Sequence, residues 1–213
     1  MTPPTMAVGA TLYANLEREY NGYWNGPDHA TPTGLSTCRD SGSKTLRPEL
    51  AAECEAGLDF TPIFDGDVRR CVPIHVNAAL VRCAQLLGSL AARFGWHDKA
   101  NQWQKRASQR AQRINQYCWN ESKGSYFQYD YVRDKQLPFY SLNISWPLWA
   151  GIASKEQARR VVEHLDLFDW PFGLTFTKAD SSPARRDQND MSRRGGSAAK
   201  DLLFFAPRDE VGA

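Results

Sequence analysis

Residues 72–118, VPIHVNAALVRCAQLLGSLAARFGWHDKANQWQKRASQRAQRINQYC, decide the fold. In the first half Val76, Leu80, Cys83, Leu87, Leu90 and Phe94 recur at intervals of three and four, the period of one helix face. Pro73 stands near the start and Gly95 at the end, the usual punctuation of a helix. Asp98 is placed to cap a second long helix, whose buried stripe is Trp103, Ala107, Ala111, Ile114 and Cys118. With so short a connection the two helices must fold back as an antiparallel hairpin.

Upstream, residues 7–24 read as a helix with Leu12, Leu16, Tyr20 and Tyr23 on one side, stopped by Gly26-Pro27. Residues 26–48 carry no apolar period, and a loop of that length inside a compact domain is more often functional than idle. Residues 49–57 predict a short helix and 58–72 a second irregular stretch. Downstream, SYFQYDYV (125–132) alternates and predicts a short strand or hairpin. SLNISWPLWAGI (141–152) reads as a buried helix start, and Ser154 caps KEQARRVVEHL with Glu156 and Gln157 in its first turn. From about Lys178 the chain turns polar and aperiodic. The expected organisation is therefore a domain over residues 1–177 and a disordered or unrelated tail over 178–213. The hairpins repeat with no fixed period, which favours a closed ring of helices over a solenoid.

The net charge of +2, from 26 basic and 24 acidic residues, leaves no electrostatic footprint for nucleic acid or an anionic membrane. Lys105, Arg106, Arg110 and Arg113 share a helical spacing that could track phosphates, but a solvated face is the simpler reading. Five cysteines without CxxC spacing suggest neither a zinc knuckle nor a disulfide framework. No signal peptide is visible and no run approaches a membrane-spanning length, so a cytoplasmic protein is expected. The 7 Trp are a rich supply for this length, and either pack the core or wall a sugar pocket.

The segment AECEAGLDFTPIF (52–64) gathers Glu53, Glu55 and Asp59. Glycosidic hydrolysis needs one carboxyl kept protonated for the leaving oxygen and a second, ionised, to activate water. Leu58 and Phe60 flank Asp59, and desolvation there would raise its pKa. Taken alone, three acids this close are ordinarily a solvated turn or cap.

Glu55-Ala56-Gly57-Leu58-Asp59-Phe60-Thr61 resembles the Glu-Ser-Gly-Trp-Asp-Phe/Tyr-Ser/Thr motif of trehalases, glycoside hydrolase family 37, and of related mannosylglycerate hydrolases. VPIHVNAAL (72–80), YCWNESKGSYFQYDYV (117–132) and ISWPLWAGIASKEQARRVV (144–162) are similar to further segments of that family, in order. The resemblance spans about residues 10–177 and implies an all-α fold, part of an (α/α)6 toroid with long loops and a short β-hairpin. It implies an inverting glycosidase acting on a small disaccharide, most simply α,α-trehalose, with no cofactor or metal. Asp59 matches the general acid.

Arg47 and Glu49 are similar to a substrate-binding Arg-Pro-Glu element, with a surface ion pair equally open. Phe60 belongs to the motif. Asn77 matches an Asn at a helix start that orients a hydroxyl or the acid. Trp146 and Trp149 wall a pocket or, more simply, pack the core, and Asp130 fits a supporting role better than a catalytic one. Leu58 and Ala56 depart from the family's Trp and Ser. His75 replaces an acidic residue with a group that titrates near neutrality. No counterpart of the family's general base is found, which suggests a truncated or frame-shifted product. Two alternatives stay open. One is a glucosyl- or mannosylglycerate hydrolase, with Arg47, Arg69 or Arg70 meeting the glycerate carboxylate. The other is a catalytically inactive sugar-binding or truncated protein.

Overall fold

The computed structural model describes residues 3–40, 42, 44–58, 61–169 and 173–178, with side chains from residue 8 onward. Of the tail expected over 178–213, all but Lys178 lies outside these residues. The first helix, α1 (Pro3–Arg18), runs on as a π-helical turn, Glu19–Trp24. Its buried face carries Tyr13 and Tyr20, whereas Leu12 is 54% and Tyr23 45% exposed. Of the expected apolar side, Tyr20 is buried and Leu16 packs half-buried against the core, while Tyr13 goes inward in place of Leu12 and Tyr23. Trp103 Nε1 donates to Tyr13 Oη at 2.6 Å, and the Tyr20 ring meets the Trp103 ring edge-on at 4.9 Å. A tyrosine whose hydroxyl finds a buried partner competes well with leucine for the interior.

A loop leads to α2 (Pro48–Ala56), which ends on left-handed Gly57, and two single turns, Pro62–Phe64 and Val68–Arg70, lead into β1 (Cys71–Val72). Then come α3 (Ile74–Arg93) and α4 (His97–Cys118), the expected antiparallel hairpin. The most buried face of α3 is not the stripe of large residues alone. It includes Ala78, Val81, Ala84, Gly88 and Ala91, with Cys83, Leu90 and Phe94 only half-buried. Small residues let the two backbones approach, and a count of large apolar side chains overlooks them. The helix α4 begins after Trp96, and Asp98 sits exposed in the first turn without capping it. There it complements the helix dipole instead. Lys105, Arg106 and Arg113 are exposed as expected, but Arg110 is only 4% exposed and belongs to the interior.

Beyond α4, β2 (Trp119–Asn120) pairs with β3 (Ser125–Tyr126). The strand β4 (Gln128–Asp130) lies between β1 and β5 (Lys135–Leu137), antiparallel to both, with Cys71 opposite Asp130. The segment 125–132, expected as one strand or hairpin, instead supplies two strands to separate sheets: β3 to a pair with β2, and β4 to the centre of β1-β4-β5. A short α5 (Trp146–Trp149), opened by Pro147, precedes α6 (Lys155–Val162), which starts with a capping box between Ser154 and Gln157.

By length and composition α3 could cross a membrane, contrary to expectation, but half of its most apolar window is buried inside the fold. Its apolar faces are used against neighbouring helices. The hairpin end at Phe94–Trp96 is tight. The loops collect at the opposite end, where Phe127 N–H donates to Cys118 O at 2.8 Å and Ile74 N–H to Gln128 Oε1 at 2.9 Å.

Candidate active site

At that loop-bearing end a cleft of about 310 Å³ opens between the end of α1, the end of α2, the start of α3 and α5. Tyr20, Trp24, Val76, Leu80 and Trp146 are among its lining, with Glu19, Glu55 and His75 as polar groups. An apolar, aromatic wall with few polar groups is the composition of a small-molecule site, and the size is at the lower end for one. Trp146 is half-buried, its ring 6.1 Å from that of His75 and 5.1 Å from that of Trp149. It therefore both packs and faces the cleft, whereas Trp149 is 39% exposed.

Glu55 fixes the long loop to α2. Its carboxylate accepts from His29 Nε2 at 3.0 and 3.1 Å, from the Arg39 N–H at 2.7 Å, and from the Tyr23 hydroxyl. The bond to Glu55, reinforced by burial and by the carboxylate's charge, pushes the Tyr23 phenol up to about 12. With both oxygens engaged, Glu55 acts as a clamp, and its charge opposes ionisation of the tyrosine. His29 lies in the motif-free loop, signalled only by the loop's length, and Tyr23 was read only as part of a helix face.

His75 Nε2 bonds to Ala56 O at 2.8 Å, which makes that nitrogen the N–H donor. Nδ1 is buried without a partner. Burial, partly offset by the Ala56 carbonyl, pushes the imidazole down to about 4. The side chain is thus neutral at physiological pH and does not titrate near neutrality as expected. Sequence could not show the desolvation that overrides its intrinsic value.

Asn77 is fully buried and its amide is saturated. Oδ1 accepts from the Ser36 N–H at 2.9 Å and from Arg110 Nη1 at 2.5 Å, while Nδ2 donates to Ser36 O at 2.8 Å and Pro73 O at 2.9 Å. The side chain therefore fastens residues 25–38 onto the start of α3 and the end of α4.

Asp59 and Phe60 lie outside the described residues. On either side of them, Thr61 Oγ1 donates to Leu58 O at 3.0 Å, and Leu58 N–H closes the end of α2 on Glu53 O. Arg47 is exposed at the start of α2. Glu49 pairs with Arg69 at 2.8 Å, and Arg69 also binds Asp67 at 2.8 Å. Asp130, wholly buried, holds Arg70 Nε at 2.8 Å and accepts from the Val132 and Arg133 N–H groups, a structural task away from the cleft. Among the described residues no three or more metal-ligating side chains converge.

A family model described as Trehalase matches residues 54–181. The cytosolic neutral trehalase of Kluyveromyces lactis is 41% identical over 68 residues, 32% of this chain and 9% of that protein. The trehalase of Oryctolagus cuniculus is 30% identical over 166 residues, 70% of this chain and 28% of that protein. This chain thus spans less than a third of the length of either curated relative. The solved neutral trehalase of Saccharomyces cerevisiae superposes with a TM-score of 0.74 at 20% identity, over 85% of this chain and 43% of that one. This likeness shows the fold: the described hairpins are part of an (α/α)6 toroid.

Proposed function

This chain belongs to the trehalase family, and from that premise we infer that it carries the acid half of a site hydrolysing α,α-trehalose with inversion. The observation that carries the reading is the match over residues 54–181, which contains the whole motif from Glu55 to Thr61. Asp59 is assigned the proton given to the glycosidic oxygen as it leaves. Trp24, Tyr20 and Trp146 line the cleft next to that motif, an apolar surface suited to the C–H face of a pyranose. Inversion calls for a second carboxylate about 6.5–9.5 Å from the acid, with a water between. Glu55 is unsuited to that task because His29, Arg39 and Tyr23 already occupy it. The base is accordingly assigned outside that motif.

Two of the three arginines that could meet a glycerate carboxylate speak for a neutral disaccharide, while Arg47 stays exposed. Arg69 is engaged by Glu49 and Asp67, and Arg70 by Asp65 and Asp130, so neither awaits a substrate carboxylate. Calorimetric titration of the 213-residue chain with α,α-trehalose and with mannosylglycerate tests the substrate class. Heat of binding with trehalose alone supports the reading, and preference for mannosylglycerate overturns it. A cytoplasmic location is part of the same proposal, supported by the relative described as cytosolic.

A further inference from the structure

On the other side of Tyr20 from the cleft, Arg110 is buried with neutral partners. Its Nε donates to Tyr20 Oη at 3.3 Å, Nη1 to Ser36 Oγ at 3.2 Å and Asn77 Oδ1 at 2.5 Å, and Nη2 to Asn25 Oδ1 at 2.5 Å. These acceptors take four of the five N–H groups, and every one is uncharged. No carboxylate among the described residues forms an ion pair with it. A guanidinium withdrawn from water retains its charge, and burying it without a counter-charge is costly.

The surroundings increase the imbalance. Arg110 opens onto a cleft of about 200 Å³ that Arg106 and Arg113 also line, with Asn21, Asn25 and Gln109 as the amides around it. Arg106 donates one bond to Asn21 Oδ1 at 2.6 Å and lies over the Trp103 ring, 4.8 Å from its centroid. Arg113 donates to Gly34 O at 3.0 Å, and its guanidinium lies so close to Gly34 that a Cβ there would meet Nη1 at 2.5 Å. Three guanidinium groups from successive turns of α4 thus meet in one polar recess, each with donors to spare. At about 30 Å³ per water, the recess has room for a tetrahedral oxyanion and several waters.

We propose that this recess binds a small oxyanion, inorganic phosphate or a phosphate monoester, held by Arg106, Arg110 and Arg113. Planar guanidinium forks suit tetrahedral oxyanions, and the ion supplies the missing counter-charge. The site is separate from the glycosidase reading and does not depend on it.

Calorimetric titration of the 213-residue chain with inorganic phosphate, and separately with glucose 6-phosphate, at constant ionic strength tests the proposal. Saturable binding at one site is expected, weakened by about tenfold or more in an Arg106→Gln/Arg113→Gln double variant. Both substituted residues are exposed, so an unchanged far-UV spectrum shows that the fold survives. Tighter binding of glucose 6-phosphate identifies the monoester, and equal affinities identify the free ion. Absence of saturable binding, or equal binding by the double variant, overturns the site. General salting-out by phosphate would persist in the variant and is distinguished in that way.

Discussion

His75 gives the sharpest residue-scale prediction. Its folded-state pKa of about 4 lies below the ordinary value of 6.5 because burial disfavours the imidazolium. Between those values the unfolded chain binds a proton that the folded chain does not. Stability is therefore fully present above pH 6.5 and falls as the pH drops toward 4, by up to about 1.4 kcal/mol per pH unit from this group. Thermal unfolding from pH 4 to 8 should show that slope, and His75→Gln should flatten it. An unchanged slope would mean that the ring is solvated or paired. Asn77 is a second case. Truncation to Ala strands the buried Ser36 N–H and C=O and part of Arg110, and should cost at least about 2 kcal/mol in urea unfolding. In both residues the identity was legible and the environment was not. The sequence places Asn77 at a helix start, but nothing in it pairs that amide with Ser36, 41 residues away.

At the scale of elements, the capping box at Ser154 was legible because it is local, and Ser154→Ala should lower stability by about 1 kcal/mol. Fraying of α6, seen as faster amide exchange over Lys155–Val162, should accompany it. The packing of α3 on α4 was less legible. Its key position is Gly88, where an added Cβ would lie 3.3 Å from Trp103 Cβ and 3.4 Å from Ala100 O. Gly88→Leu should force the helices apart and cost about 1–3 kcal/mol, measurable as a lower urea midpoint. Periodicity found both helices, because a face of large apolar residues repeats visibly along the chain. It missed Arg110, because a long basic side chain at a buried position leaves the same spacing as a solvated one. The π-helical turn after Arg18 carries no sequence signal.

At the scale of the molecule, helical hairpins joined by long loops favoured a ring, the family resemblance implied the (α/α)6 toroid, and the likeness to the yeast neutral trehalase shows that fold. The candidate site is assembled from segments far apart in sequence. Residues 20–39 close over the end of α2 through Glu55 and over the start of α3 through Asn77. Local motifs identified Glu55 and Asn77, whereas His29, Arg39 and the bond from Tyr23 to Glu55 became visible only once the loop was in place. The acid itself rests on the motif and the family match, and its chemistry is best tested without relying on the second carboxylate. Azide can replace the activated water: it attacks the anomeric carbon from the opposite face while the acid protonates the departing glucose oxygen, giving β-glucosyl azide and glucose. The decisive measurement is formation of β-glucosyl azide from α,α-trehalose by the 213-residue chain and by its Asp59→Asn variant. The account predicts product from the unaltered chain and a loss of about a hundredfold or more in the variant. Equal rates from the two proteins, or no product from the folded unaltered chain, would contradict it.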